Sequence, residues 1–296
     1  HGYVLKDTEI PINVDGSSTE IFMNFDNKTQ KGQVYVEKSG EMLSGVKESE
    51  TDYGTLYTPV YKEKYLSGVT YEITAREDIV TFTTGDGITT SSLLQLGKYS
   101  IKETATQTGF VLDENSYNFD IEYAGQMIDV VEIKQAYVNE RQKFDLEITK
   151  TFEDEDKEAY KDVVFGVYSK NDIIVDDEVI IPADGLVGTL TLDKDGKNVE
   201  QLDLPTGDYY VKELDTNVGF KLDEEEHDFT FNYDEDTTKA TVIVPMELHN
   251  EKRRLELDVN KVDKDHHDHF LNGAIFEVYD KTAKSYVTKL ASGQLM

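Results

Sequence analysis

Short runs in which apolar and polar residues alternate recur along the whole chain, and no segment sustains a helical period. Ile21, Met23, Phe25 and Asn27 fall in phase. So do Val34, Val36 and Lys38; Phe144, Leu146, Ile148 and Lys150; Val242, Val244, Met246, Leu248 and Asn250; and Leu255, Leu257, Val259 and Lys261. Each run predicts a strand with one face against a core. Further strands are predicted at 69–74, 79–83, 119–123 and 229–233, with Gly85-Asp86-Gly87 as a turn. The polar stretch between Lys38 and Val69 reads as a loop insertion and 175–196 as a hairpin insertion. Both are expected in surface connections.

The pattern repeats. An asparagine followed eleven residues later by a lysine occurs as Asn27 to Lys38, Asn139 to Lys150 and Asn250 to Lys261, at intervals of 139 − 27 = 112 and 250 − 139 = 111 residues. That period is the size of one small domain. Gly2-Tyr3-Val4-Leu5 matches Gly109-Phe110-Val111-Leu112 and Gly219-Phe220-Lys221-Leu222, and Phe165-Gly166-Val167-Tyr168 has its counterpart at Phe276-Glu277-Val278-Tyr279. The expected organisation is the end of a preceding unit at 1–30, complete units at 31–142 and 143–253, and the start of a truncated unit at 254–296. Short strands separated by Gly and Asp turns make each unit an all-β sandwich. The chain reads as an internal piece of a longer protein, so missing export or anchoring signals carry no information about compartment.

Composition narrows the functions. A formal net charge of −30, from 60 acidic and 30 basic residues, argues against nucleic acid and anionic membranes as partners. Hydrophobic content of 38% with 18 Tyr and 13 Phe supplies a β-type core. Cysteine is absent, so any covalent brace must use other chemistry. No apolar run reaches the length of a membrane span.

Within each unit three polar residues lie in phase with apolar ones. Lys150 shares a face with Phe144, Leu146 and Ile148; Glu213 with Tyr209 and Val211; Asn250 with Met246 and Leu248. Lys38, Glu103 and Asn139 repeat the arrangement, with 103 − 38 = 65 and 213 − 150 = 63 residues from Lys to Glu, and 139 − 103 = 36 and 250 − 213 = 37 from Glu to Asn. Burying a lone ammonium or carboxylate costs several kcal/mol unless it is paired or neutralised. Apolar surroundings favour a neutral amine and a neutral acid. Those states suit amide chemistry: the amine attacks the asparagine carboxamide while the acid hydrogen-bonds its oxygen and carries protons to departing ammonia. The alternative is a hydrogen-bonded polar cluster without covalent closure.

On these residues the chain resembles the collagen-adhesin B-type (Cna-B) and SpaA-like pilin domains of Gram-positive surface proteins. The strand-one lysines Lys38, Lys150 and Lys261 carry the resemblance. So do the Gly-x-Tyr-x-(Ile/Val)-Lys-Glu boxes at 97–103 and 207–213, the closing-strand asparagines Asn27, Asn139 and Asn250, and the second-strand signatures at 165–168 and 271–279. Val69-Thr70-Tyr71-Glu72-Ile73 is a loose version of that signature. The resemblance implies tandem Ig-like (prealbumin-like) sandwiches closed by spontaneous isopeptide bonds, Lys38 to Asn139 assisted by Glu103 and Lys150 to Asn250 assisted by Glu213. Asn27 and Lys261 would be half-sites whose partners lie outside the chain. It further implies a stalk or spacer of a cell-wall-anchored adhesin or pilus, extracellular, contacting neighbouring repeats and, through other regions, host matrix or carbohydrate. Closing a loop of about 100 residues would stabilise each unit by roughly 4 to 5 kcal/mol on the chain-entropy account derived for disulfides.

Other signals are weaker. Asp265-His266-His267-Asp268-His269 has metal-ligand residue types but reads as a solvated loop. Asp193-Lys194-Asp195-Gly196 lacks the later acid of a calcium loop and reads as a hairpin turn. No phosphate-binding glycine loop, His-Glu-x-x-His or serine elbow is present, so neither a cofactor nor an enzyme acting on an external substrate is expected. A ligand-binding adhesin module is the competing class, and aromatic residues exposed together on one face would favour it.

Overall fold

The computed structural model describes the chain except residues 1, 7–8, 17–19, 77, 155–156, 282–283 and 289–296. The first eight strands are β1 (Lys31–Thr51), β2 (Gly54–Tyr65), β3 (Thr70–Ala75), β4 (Asp78–Thr83), β5 (Thr89–Thr90), β6 (Gly97–Ala105), β7 (Ser116–Ile121) and β8 (Val130–Asn139). The next eight are β9 (Lys143–Phe152), β10 (Val164–Ser169), β11 (Ile173–Val175), β12 (Glu178–Ile181), β13 (Leu186–Thr191), β14 (Gly207–Asp215), β15 (His227–Phe231) and β16 (Thr241–Asn250). Among the described residues one 3-10 turn, Lys157–Asp162, buries Ala159 and Tyr160. It is too short to show a helical period.

Among the described residues the buried side chains form two cores. One gathers Val34, Val36, Tyr71, Ile73, Ile101, Phe119, Ile121 and Tyr137; the other gathers Phe144, Leu146, Ile148, Phe165, Val167, Tyr209, Val211, Phe229 and Phe231. These are the in-phase residues of the alternating runs, one face of each strand turned from water. In the first half the sheet β4-β3-β6-β7 faces the parallel pair β1–β8; in the second, β13-β10-β14-β15 faces the parallel pair β9–β16. First and last strands of each half are therefore neighbours. The all-β, tandem-sandwich expectation holds.

The stretch after Lys38 is not a loop. β1 continues to Thr51, turns through Gly54 at φ +115, and returns as β2 in a long antiparallel hairpin. Nor does it stay on the surface of its own half. Leu56 pairs in parallel with Leu186 of β13, and Val46 and Tyr57 pack against the second core. Apolar residues are sparse in this hairpin because it buries one strip against the other half, not a full sandwich face. The expected hairpin insertion of the second half is present: β11 and β12 are joined by Asp176 and Asp177, both at positive φ, the geometry of a two-residue primed turn.

The halves also meet at Arg141, which is buried; its guanidinium lies 3.7 Å from the Tyr61 ring centre and donates to Asp203 Oδ1 at 2.5 Å. Gln142 next to it holds the following half, donating to the Asp236 carbonyl and accepting from Asp234 N–H. Gln30 makes the equivalent bracket at the start of the first half, to Gly125, Ile128 and Ala124.

Two predicted strands are not formed. Residues 20–28 carry no strand, with Phe22 and Phe25 exposed, and 253–261 carry none, with Leu255 and Leu257 exposed. Among the described residues no strand lies beside either segment to complete a ladder, and an alternating run alone does not satisfy its backbone. The expected end segments 1–30 and 254–296 fall partly outside the described residues.

Candidate functional site

Pairing register builds the site. In the parallel ladder β1–β8, Lys38 pairs with Tyr137 and Gly40 with Asn139, so Lys38 and Asn139 project from the same face one step apart. β9–β16 repeats this, with Lys150 opposite Leu248 and Phe152 opposite Asn250. The glutamate comes from the opposing sheet: Glu103 on β6 pairs with Tyr71 of β3, and Glu213 on β14 pairs with Phe165 of β10. Tyr71 thus occupies the place of Phe165, and the loose second-strand motif is in register.

The three side chains meet in both cores. In the first, Lys38 Nζ donates to Asn139 Oδ1 at 2.5 Å and to Glu103 Oε2 at 2.8 Å, while Asn139 Nδ2 donates to Glu103 Oε1 at 2.6 Å. In the second, Lys150 Nζ donates to Asn250 Oδ1 at 2.6 Å and lies 3.0 Å from Glu213 Oε1, while Asn250 Nδ2 donates to both Glu213 oxygens at 2.9 and 2.7 Å. The lysine and glutamate side chains are at most 1% exposed in either site. Burial pushes both lysines below their ordinary value of 10.5, opposed by the facing glutamate and, more weakly, by Asp113 or Asp223.

Aromatic rings line the amines. Lys38 Nζ lies 5.8 Å from the Tyr71 ring centre and Lys150 Nζ 5.2 Å from that of Phe165. Each glutamate is further fixed, Glu103 Oε2 by the Tyr71 hydroxyl at 3.2 Å and Glu213 Oε2 by Asp223 N–H at 2.8 Å. Thr106 and Thr216 each accept from the asparagine Nδ2. Strand phase could not reveal these last contacts, because both threonines follow the end of their strand. The readable signal was a shared Glu-x-x-Thr spacing.

An amine, a carboxamide and a bridging carboxyl group held this way have the parts for acyl transfer: a nucleophile on the carbonyl side, and an acid–base group touching both the attacking and the leaving nitrogen. Asn27 and Lys261 are exposed, and among the described residues neither joins a triad. The histidines of 265–269 are exposed in a turn, and no described group of three or more His, Cys, Asp or Glu is placed to hold a metal. Asp193 behaves as a turn residue, its carboxylate accepting from the N–H groups of Asp195 and Lys197.

No curated protein matches the chain. Among solved structures it is similar to the Bacillus anthracis TIE protein at 21% identity and TM-score 0.49, over 76% of this chain and 35% of that one. It thus spans about a third of that protein's length. It is also similar to a streptococcal ancillary pilin at 18% identity and TM-score 0.26, over 82% of this chain and 69% of that one. GBS52, the minor pilin of Streptococcus agalactiae, matches at 17% identity and TM-score 0.27, over 78% of this chain and 100% of that one. The prealbumin-like fold domain of the SpaA type matches residues 59–136 and again 144–244, a span that takes in the opposing sheets and both glutamates. With more than half of its length matched, and matched twice, the chain belongs to the SpaA family of prealbumin-like fold domains.

Proposed function

We propose that this chain is a stalk or spacer segment of a Gram-positive cell-surface adhesin or pilus. Its complete domains are 31–142 and 143–253, flanked by parts of neighbouring units at 1–30 and 254–296. Each domain closes itself once with an isopeptide bond, Lys38 to Asn139 and Lys150 to Asn250. The single observation that carries this reading is the recurrence of the same buried triad, at hydrogen-bond distance, in both cores.

The reaction balances within the site. A proton passes from the lysine ammonium to the glutamate, a transfer assisted by the burial that pushes Lys38 and Lys150 down. The neutral Nζ attacks asparagine Cγ, forming the C–N bond. Glutamate hands its first proton to Nδ2, takes the second amine proton and hands that on as well, the Cγ–Nδ2 bond breaks, and the nitrogen leaves as ammonium. Glu103 and Glu213 end as they began, and turnover is single. The mechanical consequence follows from strand order: β1 and β8 are neighbours, as are β9 and β16. Tension entering one strand of a welded pair leaves by the other, and the strands between them carry no load.

Intact mass of the purified chain tests the reading. The expected value is the sequence mass less two ammonia molecules, restored to the full sequence mass by Glu103→Ala combined with Glu213→Ala. A wild-type mass without loss would overturn it.

A further inference from the structure

Thr106 and Thr216 occupy the same place in the two sites. Each stands three residues beyond the site glutamate and is the first residue after its strand, β6 ending at Ala105 and β14 at Asp215. Asn139 Nδ2 donates to Thr106 Oγ1 at 2.9 Å, and Asn250 Nδ2 donates to Thr216 Oγ1 at 3.0 Å. The triad residues are sealed from water, at 1–2% exposure, but both threonines are half-buried. Each carboxamide nitrogen thus meets a residue less enclosed than the triad itself.

We propose that Thr106 and Thr216 are a fourth catalytic residue of each isopeptide site, acting on the departing nitrogen. The inference rests on the isopeptide reading and adds a role to it. A carboxamide has two N–H donors. In both sites one is taken by glutamate and the other by threonine. With both donors committed, Oδ1 is turned toward the amine. A flipped carboxamide would set Nδ2 against the lysine and Oδ1 against the carboxylate, losing each of these bonds. The second task comes during reaction. As Nδ2 passes from planar amide to tetrahedral amine to ammonium it gains protons, and the threonine oxygen is an acceptor already in place for that developing charge. No bond to threonine forms or breaks.

The test is timed peptide mass analysis of the full chain made by cell-free synthesis, following both cross-linked peptides in each sample. In Thr216→Val the Lys150–Asn250 bond is expected to close about tenfold more slowly or worse, the kinetic equivalent of one lost hydrogen bond to a reacting group. The Lys38–Asn139 bond in the same molecules is expected to close at the wild-type rate, and Thr216→Ser is expected to restore the second bond. A wild-type rate in Thr216→Val, or a slowed rate that serine does not restore, would overturn the role. Adding Thr216→Val to the unreactive Glu213→Gln chain is expected to lower its melting temperature by no more than a few degrees, the worth of one hydrogen bond; a larger fall would make the threonine a folding residue instead. Absence of either bond in the wild-type chain is a separate result, because it removes the isopeptide reading itself.

Discussion

Lys150 Nζ donates to Asn250 Oδ1 at 2.6 Å across 100 residues of chain, from adjacent parallel strands. The contact joins the first strand of a half to its last. Every strand between them lies inside the loop that a bond here would close.

Glu213 is the counter-charge of a sealed amine. Measured against Asn250→Ala, which cannot close, the further change Lys150→Met leaves that carboxylate buried without a cation, and the second half should lose about 3 to 5 kcal/mol. Denaturant unfolding should show the loss in that half. The Asn139–Lys38 peptide should still be cross-linked.

Chains that cannot close, such as Asn139→Ala with Asn250→Ala, should show an alkaline signature. Lys38 and Lys150 have folded values below 10.5, so between the folded and unfolded values the unfolded chain binds more protons. Stability must therefore rise with pH through that window. Tyr71 and Tyr209 act oppositely, since burial holds their hydroxyls above the ordinary value of 10.0, and their stabilisation is lost as the unfolded chain ionises beyond it. A maximum just below pH 10 is expected in thermal melts, and Lys38→Met with Lys150→Met should remove its rising limb.

A Cβ on Gly40 would stand 2.5 Å from the Phe110 ring and 3.2 Å from Leu66. The second half places Phe152 at the equivalent position, opposite Asn250, with its ring 4.1 Å from that of Phe220. Gly40→Ala should cost roughly 1 to 3 kcal/mol by overpacking. Adding Phe110→Leu should recover part of it, which a double-mutant cycle would measure.

Arg141 links the halves through its bond to Asp203, while its guanidinium lies over Tyr61 of its own half. Arg141→Ala removes a charged hydrogen bond and a cation–π contact, worth on the order of 2 kcal/mol together. Calorimetry should then show the halves melting further apart than in the wild-type chain. Arg141→Lys should recover little, because an ammonium lacks the planar fork that reaches both partners.

The triads were legible because burial in a strand is a local property. Lys38, Glu103 and Asn139 stood in phase with apolar neighbours, and the spacing recurred at Lys150, Glu213 and Asn250. The same logic failed at Ile21 to Asn27 and Leu255 to Lys261, where alternation is present and, among the described residues, no neighbouring strand completes the backbone hydrogen bonds. It also misread the stretch after Lys38, whose apolar residues answer to a surface on the other half. Thr106 and Thr216 escaped because they lie just past the end of a strand, where the two-residue phase no longer says which way a side chain points.

By itself the chain determined the period, the all-β class and the inward-facing amine, acid and carboxamide, since repeat length and side-chain alternation are written one residue after another. Only the tertiary structure decided which strands are neighbours, that a hairpin of one half completes the sheet of the next at Leu56 and Leu186, and that both donors of each asparagine are held. The physical reason is that pairing is a contest between distant segments for the same hydrogen-bonding edge, and its outcome depends on every core packed at once.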